Sequence, residues 1–318
     1  MKLKNFLNAS LLMYCISSFS QNVSSTATLT SGGLNAGTNG TQNVFYGYQA
    51  GKNNSSGNNN TFIGDRSGSS NTTGNSNLFN GPSSGGANIS GSYNTYIGTN
   101  AGDSNNGNNN TFIGGGAGGG YEGNENVFIG TDTGHAGAGN NNIFIGNNVG
   151  HGYITNNRLV IENNGQAVYP LIWGDFAQDQ LKFNGKLGIG YGFGNFPTTA
   201  GSVNVAAYNL FVKGGILTEE VRVNLQGDWA DYVFDKNYNL KPLEEVETFI
   251  KENGHLENVP SAKQVKENGI ELGEIAKIQQ EKIEELTLYL IELNKENKVL
   301  QKKLLELEGK INNSNTKN

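Results

Sequence analysis

The residues of this sequence that could carry out chemistry are few, and the histidines come first. The sequence has three histidines and one cysteine in 318 residues. His135 and His151 stand sixteen residues apart, and each follows a glycine. A zinc site needs three or four ligands, and no column of cysteine or glutamate accompanies this pair. We therefore predict that the two imidazoles stack on each other and hold no metal.

Two other groupings invite a catalytic interpretation. Ser261 and Lys263 could form a serine–lysine dyad, but side chains two residues apart at a helix start diverge, and N-capping explains the serine. Asp228 and Asp231 flank Trp229. Paired carboxylates that hydrolyse glycosides are brought together across a cleft from different elements, and nothing in this segment predicts a cleft.

A glycine run between residues 188 and 194 superficially suggests a nucleotide-binding loop. That motif requires a following helix and a surrounding βαβ unit, and the sequence predicts neither. A β-rich neck is the better interpretation. The sequence therefore predicts no catalytic residue, no cofactor and no metal, and we do not expect an enzyme.

A short repeat between residue 40 and about residue 157 must position any binding group there. Each of seven units has an asparagine, an aromatic residue two positions later and a glycine two positions after that, and the glycines recur every 16 or 17 residues. The asparagines are Asn43, Asn60, Asn77, Asn94, Asn110, Asn126 and Asn142; the aromatic residues are Phe45, Phe62, Phe79, Tyr96, Phe112, Phe128 and Phe144; the glycines are Gly47, Gly64, Gly81, Gly98, Gly114, Gly130 and Gly146. A period this short indicates a stacked solenoid.

The repeat predicts one short strand per unit, because β-branched and aromatic residues lie between glycine and asparagine turns. Thr111 and Ile113 share one face of such a strand, and Asn110 and Phe112 share the other. Both faces carry apolar groups. We expect one face to line the solenoid interior and the other to pack on a neighbouring chain, in a rod of roughly 30 Å for seven coils.

The asparagine and glycine columns fit this architecture. Stacked amides can bond to one another and to turn backbone. A second glycine column, four residues after the first, supplies further tight corners; it comprises Gly51, Gly68, Gly85, Gly102, Gly118, Gly134 and Gly150. Calcium-binding nonapeptide repeats need an aspartate in each turn, whereas Asp65, Asp103 and Asp132 are out of register.

The unit Gly-x-x-Asn-Thr-Phe-Ile-Gly-x-x-Ala-Gly resembles the head repeats of trimeric autotransporter adhesins of the YadA type, over residues 40–157. The resemblance implies a left-handed parallel β-roll and a trimeric surface adhesin. Two departures are present: the units are longer than is usual in that family, and an aromatic residue stands where a smaller one is commoner. Both predict a wider roll or a differently built contact between chains.

Beyond the repeat we predict a β-rich neck over residues 158–214, a small α+β region over 215–271 and a coiled coil over 272–312. The coiled coil follows from apolar residues spaced alternately by three and four. Its stripe comprises Ile283, Leu286, Leu290, Leu293, Asn297, Leu300, Leu304, Leu307 and Ile311. Asn297 at an a position slightly favours a dimer, whereas the adhesin resemblance favours a trimer. We predict a homotrimer and keep the dimer as the alternative.

Residues 158–311 also resemble, as a block, the C-terminal ends of secreted bacterial repeat proteins and, distantly, the tail-fibre domains that act as intramolecular trimerisation chaperones. The resemblance rests on the segments 170–176, 229–234, 255–263 and 282–289. Self-cleaving members of that group use a serine in a Ser-Asp motif near the domain start. The corresponding segment here, residues 226–229, reads Gln-Gly-Asp-Trp, so we carry no catalytic residue over.

The N-terminus indicates export. Lys2 and Lys4 precede a short apolar run, Phe6–Ile16, and then small residues. This pattern is typical of a secretory signal peptide over residues 1–20, and the run is too short for a membrane anchor. A linker over 21–39 and a polar tail over 313–318 complete the chain. The net charge of −6 disfavours a nucleic-acid partner.

These features predict a mainly β, fibrous protein at the outer surface of a Gram-negative-type bacterium, with an adhesin-like or structural role. The mature chain needs no transmembrane segment. We expect binding to be spread over repeat loops such as those around Tyr93 and Tyr121, while the sequence leaves the host or matrix ligand unidentified. The alternatives are a polysaccharide-acting β-solenoid enzyme and a tail-fibre-like protein with a C-terminal trimerisation chaperone.

Overall fold

The computed structural model describes residues 23–26, 29–163, 169–192, 194–225, 227 and 229–315. They divide into one unit that ends at Lys186 and another that begins at Leu187. The predicted signal peptide lies outside the described residues, as do Gln226 and Asp228.

The first unit is a parallel β-solenoid, which confirms the predicted fold class. Its sheet has twelve strands, and each strand neighbours the next one along the chain. The strands are β1 (Val23–Thr26), β2 (Leu29–Gly32), β3 (Asn43–Tyr46), β4 (Thr61–Ile63), β5 (Leu78–Asn80), β6 (Thr95–Ile97), β7 (Thr111–Ile113), β8 (Val127–Ile129), β9 (Ile143–Ile145), β10 (Arg158–Ile161), β11 (Ile172–Asp175) and β12 (Gln180–Phe183). Strands β2 to β10 run parallel, and the repeat places equivalent residues directly opposite one another.

Glycines make the turns between strands possible. Gly114 follows β7 with a φ of 136°, and a Cβ added to it would lie 2.4 Å from the carbonyl oxygen of Gly130. Gly118, in the second glycine column, has a φ of 62°, and its added Cβ would lie 2.3 Å from ring carbons of Phe112. The first column therefore lets backbones stack, and the second leaves room for the aromatic rings.

The solenoid extends beyond the seven predicted coils at both ends. Strand β2 lies in the segment 21–39 that we predicted as a linker, and its Ser31 stands opposite Phe45. Strand β10 lies in the predicted neck, with Val160 opposite Phe144. Strands β1, β11 and β12 then pair antiparallel. The antiparallel strands end the stack because they interrupt the one-strand-per-coil register.

The second unit begins with two small sheets. Strand β13 (Leu187–Ile189) pairs parallel with β16 (Leu210–Val212), and β14 (Thr199–Ala200) pairs antiparallel with β15 (Val203–Asn204). A 3-10 helix spans Ala230–Phe234. Three α-helices follow, α1 (Leu243–Asn253), α2 (Ala262–Asn268) and α3 (Leu272–Asn315).

The 44-residue helix α3 contains the predicted heptad segment. The preceding 3-10 helix packs against its N-terminal part. Among the helices of the described residues, none is long and apolar enough to span a membrane.

Candidate assembly and binding surfaces

The solenoid interior is built on the aromatic column. The seven rings from Phe45 to Phe144 are fully buried and stack one above another, with centroids 4.8–5.1 Å apart and planes within 20° of parallel. This spacing matches the separation of neighbouring strands, so one ring per coil fills the core continuously. Burial raises the pKa of Tyr96 well above its usual range, and its hydroxyl donates to Asn105 Oδ1 at 3.0 Å.

The predicted asparagine column forms a hydrogen-bonded ladder beside the rings. Asn110 Oδ1 accepts the backbone N–H of Asn126 at 3.0 Å, and Asn110 Nδ2 donates to the carbonyl of Gly123 at 2.9 Å. The same pattern recurs from Asn43 to Asn142. Each buried amide thus ties its own coil to the next one and satisfies backbone groups that water cannot reach.

A second amide ladder, which was not predicted from the sequence, lies outside the core. Asn108 Oδ1 accepts the backbone N–H of Ser92 at 2.9 Å, and Asn124 Oδ1 accepts that of Asn108 at 2.8 Å. The residues of this outer ladder are Thr41, Asn58, Asn75, Ser92, Asn108, Asn124, Asn140 and Asn156. The available signal was a polar column two residues before the buried asparagines.

Tyr93 and Tyr121 turn out to differ, although we predicted binding loops around both. Tyr93 is 65% exposed, as a binding loop requires. Tyr121 is wholly buried: its ring stands edge-on against Phe128, and its hydroxyl accepts from Asn142 Nδ2 at 3.0 Å. Burial raises the pKa of Tyr121 to about 12. The burial of Tyr121 was not predicted: this residue occupies the turn position that buried Asn105 holds one coil earlier. The neighbouring Glu122 is exposed, and binding by the loop around Tyr121 stays a prediction.

The opposite face of the strands points away from the core and is largely apolar. We call it the outward face; it consists of the columns from Val44 to Leu159 and from Tyr46 to Ile161. Ile63, Ile113 and Ile129 are each 37–38% exposed. The polar members of the two columns are Thr61, Asn80, Thr95 and Thr111. An exposed surface on which apolar residues predominate in this way marks an interaction site more often than an ordinary solvated surface.

Helix α3 carries a second exposed apolar surface, the leucine stripe. It consists of Ile283, Leu286, Leu290, Leu293, Leu300, Leu304, Leu307 and Ile311, which are 53–60% exposed. The 3-10 helix and the residues after it pack on a different side of α3, where Glu281 and Glu284 are 8% and 5% exposed. Packing within the chain therefore leaves the heptad positions uncovered.

A phenol–carboxylate cluster fastens that other side of α3. Tyr232 donates to the Glu281 carboxylate, and Tyr238 donates to Glu285 at 2.5 Å. Lys282 pairs with Glu281 at 2.8 Å and with Glu285 at 2.9 Å. The hydrogen bond to Glu281, together with burial, raises the pKa of Tyr232 to about 12. Burial alone would raise the pKa of Glu281, but hydrogen bonds from Lys282 and Tyr232 outweigh it and lower that pKa.

The two repeat histidines stack as predicted. The rings of His135 and His151 lie 5.2 Å apart at 12°. His135 also lines a shallow depression with Asp103 and Asp132, two aspartates whose positions in the repeat differ. Among the described residues no group of three or more histidine, cysteine or acidic side chains could hold a metal ion.

The remaining candidate residues have structural surroundings. Ser261 and Gln264 form a capping box at the start of α2, which confirms the N-cap prediction, and Lys263 and Asp231 are exposed. The glycine run lies at β13, where a Cβ on Gly188 would meet the ring of Phe196 at 2.7 Å. Asp228 lies outside the described residues.

The chain was compared with models of known protein families, with curated proteins and with solved structures, and no match was found. The class of this protein is therefore defined by its own structure: a parallel β-solenoid of about 16-residue coils that is followed by a few short strands and a long C-terminal helix.

Proposed function

We propose that this chain is an exported, homotrimeric fibrous protein of the bacterial surface, with an adhesin-like or structural role. The observation that carries the proposal is the leucine stripe. It keeps more than half of each side chain exposed, while a different side of the same helix is already packed within the chain.

A long helix with such a stripe is stabilised when identical helices cover it. Burying the rest of each leucine contributes about 1 kcal/mol per side chain, since full burial contributes about 1.5–3 kcal/mol. Eight such positions per chain amount to several kcal/mol in a parallel coiled coil. Asn297 would lie at an a position within it, where a buried amide fixes the register of the helices.

The outward face of the solenoid supports the same assembly. Four successive coils place Ile97, Ile113, Ile129 and Ile145 in one column, and Asn80 separates these residues from Ile63. A monomeric solenoid would leave this apolar strip exposed to water, which is uncommon for soluble monomers. Association of chains would cover the strip, and the resemblance of the repeats to the heads of trimeric adhesins favours the trimer over the dimer.

An adhesive role fits the surface that would stay exposed. Turns carry Tyr93 and the outer amide ladder, and each coil repeats similar groups at the coil spacing. Repeated weak contacts add up through multivalency, so a fibre needs no single deep cleft to hold a surface.

The assembly is tested with the chain from residue 21 onward, by light scattering coupled to size exclusion over a dilution series. We expect three times the single-chain mass. Leu304→Glu should raise the dissociation constant by at least about a hundredfold, because three leucines lose about 1 kcal/mol each. Leu305→Glu is the matched control: it has the same chemistry and is the next residue, 68% exposed against 58% for Leu304, but it lies off the stripe.

The outcomes separate the alternatives. A monomer at every concentration, or equal effects of the two variants, would refute the assembly. A mass of two chains would replace the trimer by the dimer. The surface role is tested in the source bacterium: protease treatment of whole cells should degrade the protein, and cells with Leu304→Glu should attach to surfaces less than cells with Leu305→Glu.

A further inference from the structure

The end of the solenoid contains a cavity that is lined in part by Val160, the residue opposite Phe144, which is the last ring of the aromatic column. Across the sheet, Phe144 stands opposite Val160, Val160 opposite Trp173, and Trp173 opposite Lys182. Opposite residues share a face, so the face that carries the rings continues into a partly buried tryptophan and then an exposed lysine. We call the adjoining space the end cavity; its volume is about 380 Å³, and Tyr153, Thr155, Arg158, Trp173, Lys182 and Asn184 contribute to its lining.

The end cavity is positively charged. Lys182 Nζ lies 4.5 Å from the centroid of the Trp173 ring, and Arg158 Cζ lies 5.4 Å from it. Arg158 is neutralised by Asp175, with 2.7 Å between Nη1 and Oδ1. Lys182 forms no salt bridge with any described residue. One ammonium group beside the tryptophan is therefore available to a negatively charged ligand.

The other lining groups restrict the kind of anion. The phenol of Tyr153 offers a flat apolar face, on which the C–H side of a sugar ring can pack. The Trp173 ring is already in contact with Arg158 and Lys182, which come from the two strands that flank its own. Thr155 and Asn184 add a hydroxyl and an amide that can meet sugar hydroxyls. A fatty acid would form no hydrogen bonds with Thr155 and Asn184, and an inorganic anion would not contact the aromatic face of Tyr153.

We propose that the end cavity binds the carboxylate-bearing sugar unit of an acidic polysaccharide, a uronate, with Lys182 facing the carboxylate and Tyr153 facing the ring. This site refines the proposed surface role by naming a ligand class. We place this site within a single chain, so the proposal is tested independently of assembly.

Tryptophan emission provides a direct test, because the sequence has only two tryptophans. In a Trp229→Phe background, the remaining signal reports on Trp173. The chain from residue 21 onward is titrated with a six-residue oligouronate, a neutral glucose hexamer and acetate. We expect saturable quenching with the oligouronate alone.

Substitutions at Lys182 test whether its positive charge contributes to oligouronate binding. Lys182→Gln should weaken oligouronate binding by about tenfold or more, as expected for a lost charge-assisted contact, and Lys182→Arg should restore most of the affinity. Lys52→Gln removes the same charge from an exposed site in an early coil and should leave binding unchanged. Binding by Lys182→Gln as tight as that of the parent chain, an equal loss in Lys52→Gln, or equal binding of acetate would overturn the proposal.

The Leu304→Glu variant tests whether oligouronate binding is independent of trimer formation. It should bind the oligouronate as the parent chain does. If the parent chain forms a trimer but no quenching occurs, only the ligand assignment fails.

Discussion

The buried amide ladder should contribute far more to stability than the outer one, and a matched pair of variants measures the difference. Asn110→Ala removes the acceptor of the Asn126 backbone N–H and the donor to the Gly123 carbonyl. Asn108→Ala removes the acceptor of the Ser92 backbone N–H. The two asparagines lie in one coil, but Asn110 is buried and Asn108 is exposed.

The expected losses in the free energy of unfolding depend on whether water can replace the lost hydrogen-bond partner. A buried donor or acceptor left without a partner costs about 1–3 kcal/mol, so Asn110→Ala should cost about 3 kcal/mol in all. At the exposed position water takes the place of the amide, and Asn108→Ala should cost about 0.5 kcal/mol. With an m-value of about 2–3 kcal/mol/M, the first variant should unfold at a urea concentration about 1 M lower.

Urea unfolding followed by circular dichroism, together with amide exchange at Asn126, tests this reasoning. Each coil contacts only its neighbours, so the defect should first appear as faster exchange beside the substituted residue. Equal midpoint shifts for Asn110→Ala and Asn108→Ala would refute it. So would unchanged exchange at Asn126, since the ladder would then not be what protects that amide.

Two further predictions concern the turns and the helix cluster. Gly118→Ala should destabilise the solenoid by more than about 2 kcal/mol, because its Cβ would lie 2.3 Å from the ring carbons of Phe112 at a φ of 62°; Gly115→Ala, whose nearest atom is 3.9 Å away, should be nearly neutral in the same thermal melts. Tyr232 has its pKa raised to about 12 by Glu281. Its stabilising contribution should be complete below the unfolded pKa of about 10 and lost as pH rises toward 12. Tyr232→Phe should therefore flatten the pH dependence of urea unfolding of the helical region in that range, and an unchanged slope would contradict the assignment.

The core of the solenoid could be predicted from sequence because its ladders repeat. Each coil needs an aromatic ring at the position of Phe112 and an amide at the position of Asn110. Aligning the chain with itself at the repeat spacing therefore reveals both columns. The burial of Tyr121 was not predicted because only four coils carry asparagine at its turn position, Asn54, Asn71, Asn88 and Asn105. Gly137, one coil later, leaves the space for its ring: a Cβ there would meet Tyr121 at 2.7 Å.

The ends of the stack were harder to predict for a related reason. Strand β2 has Ser31 where the repeat has an aromatic ring, and Trp173 continues the interior column from an antiparallel strand. Neither residue fits the spacing of 16 or 17. The end cavity is formed by such non-repeating residues, which a search for repeats does not detect. Only the strand register shows that Trp173 lies on the same face as the rings.

Apolar periodicity alone does not distinguish burial within one chain from burial between chains. Phe112 and Ile113 are adjacent and both recur once per coil, yet the first is wholly buried and the second is 37% exposed. In α3, too, a residue at an apolar heptad position is not buried within the chain. Leu304 is 58% exposed, whereas Glu284, on another side of the helix, is 5% exposed. The chain thus buries one set of repeated apolar residues by folding and leaves two sets exposed. A parallel coiled coil of identical helices would bury the α3 set by symmetry, because each chain presents the same heptad positions to the others.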